Sequence, residues 1–174
     1  MAVVNPVPPE QTPPGLEELY GNLKREFGRV LNFAKVMAHR PDALKAFFRF
    51  YATAVDQGTI EPSYKQLAYL KASLANRCQY CIQEHTALAK RTGVNERQIN
   101  EVDSYQFSSA FSEKEKATLA YAEQVTRDAR GVRESDHEKL RKYYTEDEIV
   151  ELTLVICIAN CGNRFSDALH IPLG

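Results

Sequence analysis

Excess charge of either sign is missing from this chain: 22 Lys and Arg stand against 23 Asp and Glu, a formal charge of −1. Without a net basic field little gathers a nucleic-acid backbone or an anionic bilayer, so neither is expected as a partner. The opening MAVVNPVPPEQTPPG has no basic start and no long apolar run. Neither a signal peptide nor a membrane span is expected there, and the cytosol is the expected compartment. Cysteines number four, few for a chain that relied on disulfides. In a reducing compartment a close pair of them suggests redox chemistry or metal binding rather than a staple. No alternating strand pattern of any length occurs, and no convincing short repeat.

What is present points to one all-α domain. The chain has 174 residues, of which 44% are hydrophobic and 26% charged, enough apolar material for a substantial core and ordinary usage for a soluble globular protein. Residues 1–15 read as a proline-rich arm, since five of the eight prolines fall between 5 and 14 and the ring favours extended backbone. Such an arm is expected to lie across a neighbouring surface. Residues 16–174 read as a single helical domain. Leu16, Leu19 and Leu23, then Phe27, Val30, Leu31, Phe33 and Ala34, recur at steps of three and four. Pro41 opens a helix expected to run to Gly58, Pro62 opens the next, and Gly93 closes the one after that. NERQ at 95, SEKE at 112, SDHE at 135 and TEDE at 145 each predict a capping box. The last helix, EIVELTLVICIANCGNRFSDALH, is apolar on most sides and belongs deep in a bundle or at an oligomer contact.

The chemistry concentrates in RCQYCIQEH at 77–85. On a helix each residue turns by about 100°, which puts Cys78, Cys81 and His85 on one narrow stripe. Two thiols at this spacing, the first in an opening helical turn, can close a disulfide and carry an electron pair; an imidazole one turn on can move the proton. Redox chemistry, a zinc site and plain packing are all compatible with the pair alone. Cys157 and Cys161, inside the apolar LVICIANC, read as core residues. The helix dipole favours Cys78 as the more acidic and exposed nucleophile, whereas proximity to His85 favours Cys81. The aromatic-rich FFRFY at 47–51 and SYQFSSAF at 104–111 line an access route or fill the core.

The stretch KQLAYLKASLANRCQYCIQEHTALAKRTGVNERQINEV resembles the signature region of the alkylhydroperoxidase D-like branch of the carboxymuconolactone decarboxylase family. The later EKATLAYAEQVTRDARGV and TEDEIVELTLVICIANCGNRFSDALHIPLG resemble the C-terminal half of its longer, peroxidase-related members. The resemblance implies an all-helical orthogonal bundle assembled into trimers or hexamers. It also implies a dithiol that reduces a hydroperoxide and is restored by a thiol or dithiol partner, with no metal or organic cofactor. The catalytic residues it implies are Cys78, Cys81 and His85. Two relay positions depart: the family's glutamate is Gln66 here and its intervening histidine is Tyr80. Gln66 can orient a proton but not accept one near neutral pH, and Tyr80 is a poor base. Glu84, on the same face, is a candidate substitute, and Gln66, Tyr80 and Glu84 are read as relay or pocket residues. A non-catalytic redox sensor or assembly module is the alternative, and a lactone decarboxylase a more distant one.

Overall fold

The computed structural model describes residues 3–174, and these contain nine α-helices and no strand. They are α1 (Glu17–Phe27), α2 (Asn32–Met37), α3 (Pro41–Tyr51), α4 (Pro62–Asn76), α5 (Gln79–Arg91), α6 (Glu96–Glu101), α7 (Glu113–Asp128), α8 (Glu134–Leu140) and α9 (Glu146–Ala168). The capping boxes expected at Asn95, Ser112 and Thr145 are all formed. The fourth is displaced: α8 starts from Arg133, whose N–H donates to the Asp136 carboxylate (3.0 Å), in place of a box of Ser135 and Glu138. The helix opened by Pro41 is regular only to Tyr51. A π-helical turn, Ala52–Asp56, carries it on to the left-handed Gly58 (φ 104°).

The bundle is organised around α4, which packs on α5, α7 and α9. Its apolar residues Ala68, Tyr69 and Ala72 meet Ala122 of α7 and Leu152, Val155, Ile156 and Ala159 of α9 in the largest core cluster. Two lysines of α4 are also buried, and each is neutralised in place, as an uncompensated buried ammonium would cost several kcal/mol. Lys65 Nζ lies 2.7 Å from Glu151 of α9, and Lys71 Nζ lies 3.0 Å from Asp103 and 3.3 Å from Glu123. α9 is long and apolar enough to cross a membrane by length and composition, but its inner face is built into this core.

A second core cluster joins α1, α2 and α3 through Leu16, Tyr20, Leu23, Leu31, Ala34 and Leu44. This N-terminal layer roofs the first. Extended backbone straps it: Val3 N–H donates to Leu169 C=O (3.1 Å) and Val7 N–H to Lys35 C=O (3.0 Å). From the other end of the chain, Pro172 C=O and Leu173 C=O accept from the Asn32 side chain at the start of α2.

Candidate active site

The α4–α5 turn places the sulfurs. Arg77 caps α4 in the left-handed region (φ 61°), where a residue with a Cβ is strained, and its N–H bonds back to Leu74 and Ser73 carbonyls. Cys78 N–H also reaches Ser73 C=O (3.0 Å), and Cys78 becomes the N-cap of α5. Cys81 then sits in the first turn, with its Sγ 2.6 Å from that of Cys78. Closing a bond between two thiols so placed needs only a small movement.

Both sulfurs are buried rather than carried on an exposed ridge, and Cys78 is not the more exposed of the two: it is 0% accessible, Cys81 4%. The neighbouring Cys81 sulfur first, and burial second, push the Cys78 thiol far above its ordinary range, which overrides the helix-dipole argument for that residue. Cys81 opens onto a cavity of about 600 Å³ and Cys78 lies behind it. The Cys81 thiol is also 3.7 Å from Ser166 Oγ of α9.

The cavity lies between the α1–α3 layer and α4–α5. Its walls are rings, Phe33, Phe47, Phe48, Tyr51, Tyr69 and Tyr80, with Cys81, Glu84 and His85 on the α5 side. FFRFY at 47–51 thus does line a route to the sulfurs. SYQFSSAF does not: Tyr105 and Phe111 fill another core cluster, and Phe107 is exposed.

His85 is buried, stacked on the Tyr69 ring at 3.4 Å between centroids and 13° between planes. Its Nδ1 is 3.0 Å from Gln66 Oε1. An amide oxygen only accepts, so Nδ1 carries the hydrogen. Nε2 is left as a lone pair. Burial lowers the His85 pKa to about 3, so the ring is neutral at ordinary pH. Among the described residues no direct hydrogen bond joins it to either sulfur.

The remaining candidates divide. Tyr80 lines the cavity, and its hydroxyl accepts the Phe33 N–H (3.2 Å); burial raises its pKa, so it offers no base. Glu84 also lines the cavity but is tied to Arg29 at 2.7 Å. Cys157 and Cys161 are not in the core, contrary to the expectation from their apolar run: both are exposed on the outer face of α9. Asn160 and Asn163 pack α9 against α4, with Asn160 Oδ1 3.0 Å from Asn76 Nδ2 and Asn163 Oδ1 3.2 Å from Ser73 Oγ. Sequence reasoning missed Tyr69, which reads as a core aromatic at helical spacing. The one signal available was its place three residues after Gln66, on the same face of α4.

Residues 41–124 match the sequence model of the carboxymuconolactone decarboxylase family. The uncharacterized protein YdfG of Bacillus subtilis (strain 168) is 30% identical over 114 residues, 65% of this chain and 78% of that one. Among solved structures, a cysteine-to-alanine variant of the debrominase Bmp8, in complex with 2,3,4-tribromopyrrole, superposes with a TM-score of 0.89 at 24% identity, covering 100% of this chain and 92% of that one. The alkylhydroperoxidase AhpD core of a peroxidase-related protein from Ralstonia eutropha JMP134 gives 0.89 at 22% identity, over 98% and 91%. The chain belongs to the carboxymuconolactone decarboxylase family and has the fold of its alkylhydroperoxidase D-like branch.

Proposed function

We propose that this protein is a dithiol oxidoreductase that reduces organic hydroperoxides, with Cys81 as the attacking sulfur and Cys78 as the resolving one. The observation that carries this reading is the placement of two sulfurs 2.6 Å apart at one side of a ring-walled cavity, with only Cys81 open to it. The Cys81 sulfur takes the distal peroxide oxygen, an S–O bond forms as the O–O bond breaks, and the alcohol leaves. The Cys78 sulfur then displaces the new hydroxyl as water, giving a disulfide that an external thiol or dithiol reopens. His85 Nε2 accepts the thiol proton during attack and does not store it, because the imidazolium is disfavoured at this buried site. No metal or organic cofactor enters these steps.

Steady-state consumption of an organic hydroperoxide with a dithiol donor tests the reading. Turnover is expected, and is lost in Cys81→Ser. A wild-type protein that forms the disulfide yet consumes no peroxide would instead be a redox sensor. A second reductive reading draws on the rings around the cavity and the likeness to a debrominase: Cys81 would attack the halogen of a halogenated aromatic, with the same disulfide as product. Halide release from a bromopyrrole separates the two.

We further propose a homo-oligomer, a trimer or hexamer, in the cytosol. Val150, Leu154, Cys157 and Cys161 form an exposed stripe along α9 beside Phe50, and this face supports self-association.

A further inference from the structure

A neutral His85 with its Nδ1 hydrogen committed to Gln66 presents the cavity with a lone pair and no proton. Reduction of a hydroperoxide also needs a donor, because the oxygen that leaves is an alkoxide unless a proton meets it. Three tyrosines line the cavity near the sulfurs. The Tyr80 hydroxyl accepts the Phe33 N–H, and the Tyr51 ring stands tilted 6.3 Å from His85 between centroids. Tyr69 differs. It is 3% accessible and lines the same cavity as Cys81. Its ring is fixed by the stack on His85. Its hydroxyl is accommodated by Gly162 of α9: a Cβ there would stand 2.9 Å from the Tyr69 oxygen.

Building on the peroxidase reading, we propose that Tyr69 is a catalytic residue, the hydrogen-bond and proton donor to the oxygen that leaves when Cys81 attacks, and that Gly162 holds open the space for its hydroxyl. The thiol proton passes to His85 Nε2, sulfur takes the terminal OH of the peroxide, the departing alkoxide takes the Tyr69 proton, and the tyrosinate regains a proton from His85 through cavity water. The sum is one thiol and one hydroperoxide giving one sulfenic acid and one alcohol. Burial, followed by the charges of Tyr51 and the nearby sulfurs, raises the Tyr69 pKa, which keeps the hydroxyl protonated between turnovers.

The test compares two oxidants whose leaving groups differ in basicity, an alkyl hydroperoxide and a peracid, in wild type, Tyr69→Phe and Gly162→Ala. The rate of sulfenic acid formation at Cys81 is measured by trapping and mass spectrometry. A carboxylate departs without help, whereas an alkoxide does not. Tyr69→Phe is therefore expected to lose about 10²-fold or more with the alkyl hydroperoxide and only about threefold with the peracid. Gly162→Ala, which displaces the hydroxyl without removing it, shows the same selectivity with a smaller loss. Equal losses on both oxidants, or no loss on either, overturn the assignment of Tyr69 while leaving the peroxidase reading intact. A wild-type protein inert to both oxidants overturns the reading and the assignment together.

Discussion

The chain carries two cysteine pairs, three and four residues apart, and they have opposite surroundings. Cys78 and Cys81 start a helix inside the molecule, whereas Cys157 and Cys161 lie on the outer face of α9. Spacing alone suggests the reverse, an accessible reactive pair and an inert buried one. The difference lies in what each backbone does. The left-handed turn at Arg77 drives the first pair into the space between α2 and the C-terminal segment, where Phe33 and Ile171 cover it. The second pair lies on an unbroken helix whose opposite face, with Val155, Ile156 and Ala159, already fills the core. A secluded thiol pair can still be reached where one sulfur borders a cavity, as Cys81 does, and exposure carries no chemistry by itself.

The sharpest way to break this comparison is by function. Cys81→Ser should lower peroxide turnover by more than about 10³-fold, while Cys157→Ser with Cys161→Ser should stay within about twofold, both measured as kcat/KM. Next comes accessibility. Leu154→Arg should reduce the mass seen by light scattering to that of a single chain; in that variant Cys157 and Cys161 should take a bulky maleimide about 10²-fold faster than Cys78, as counted by intact-mass analysis.

The burial that sets the first pair apart also governs its imidazole. The folded-state pKa of His85, about 3, lies below the unfolded value near 6.5, so the unfolded chain binds the extra proton between them. The stabilisation from this residue is complete above about pH 6.5 and is lost as pH falls toward 3, at up to about 1.4 kcal/mol per unit. Urea midpoints at pH 7, 6 and 5 should therefore fall more steeply in wild type than in His85→Phe. The smallest effect is at the turn itself. Arg77→Gly removes the left-handed strain and should raise stability by about 1 kcal/mol in the same assay.

How much of this was legible beforehand depended on range. The boxes at Asn95, Ser112 and Thr145 need only four consecutive residues, and they form as read. The one at 135 was misplaced because the Asp136 carboxylate takes the Arg133 N–H and the helix starts two residues earlier. The stripe of Cys78, Cys81 and His85 follows from helical period; Cys81 and His85 do line one wall of the cavity, whereas Cys78 is the N-cap of α5 and sits behind it. The roles of Gln66 and Tyr69 required α4 to be laid against α5, and no local pattern records that the Tyr69 hydroxyl meets a residue without a side chain ninety-three positions later. Which side of α9 faces outward was equally hidden, because every side of that helix is apolar for much of its length.

Because Val7 and the tail carbonyls of Pro172 and Leu173 both grip α2, the panel bearing Phe33 is pinned by stretches of chain that never touch the reacting atoms. The breadth of the ring-lined cavity is in effect set from its margins. Editing those margins would alter the width of the cavity without touching either sulfur, and a bulky fusion at either margin would do so inadvertently.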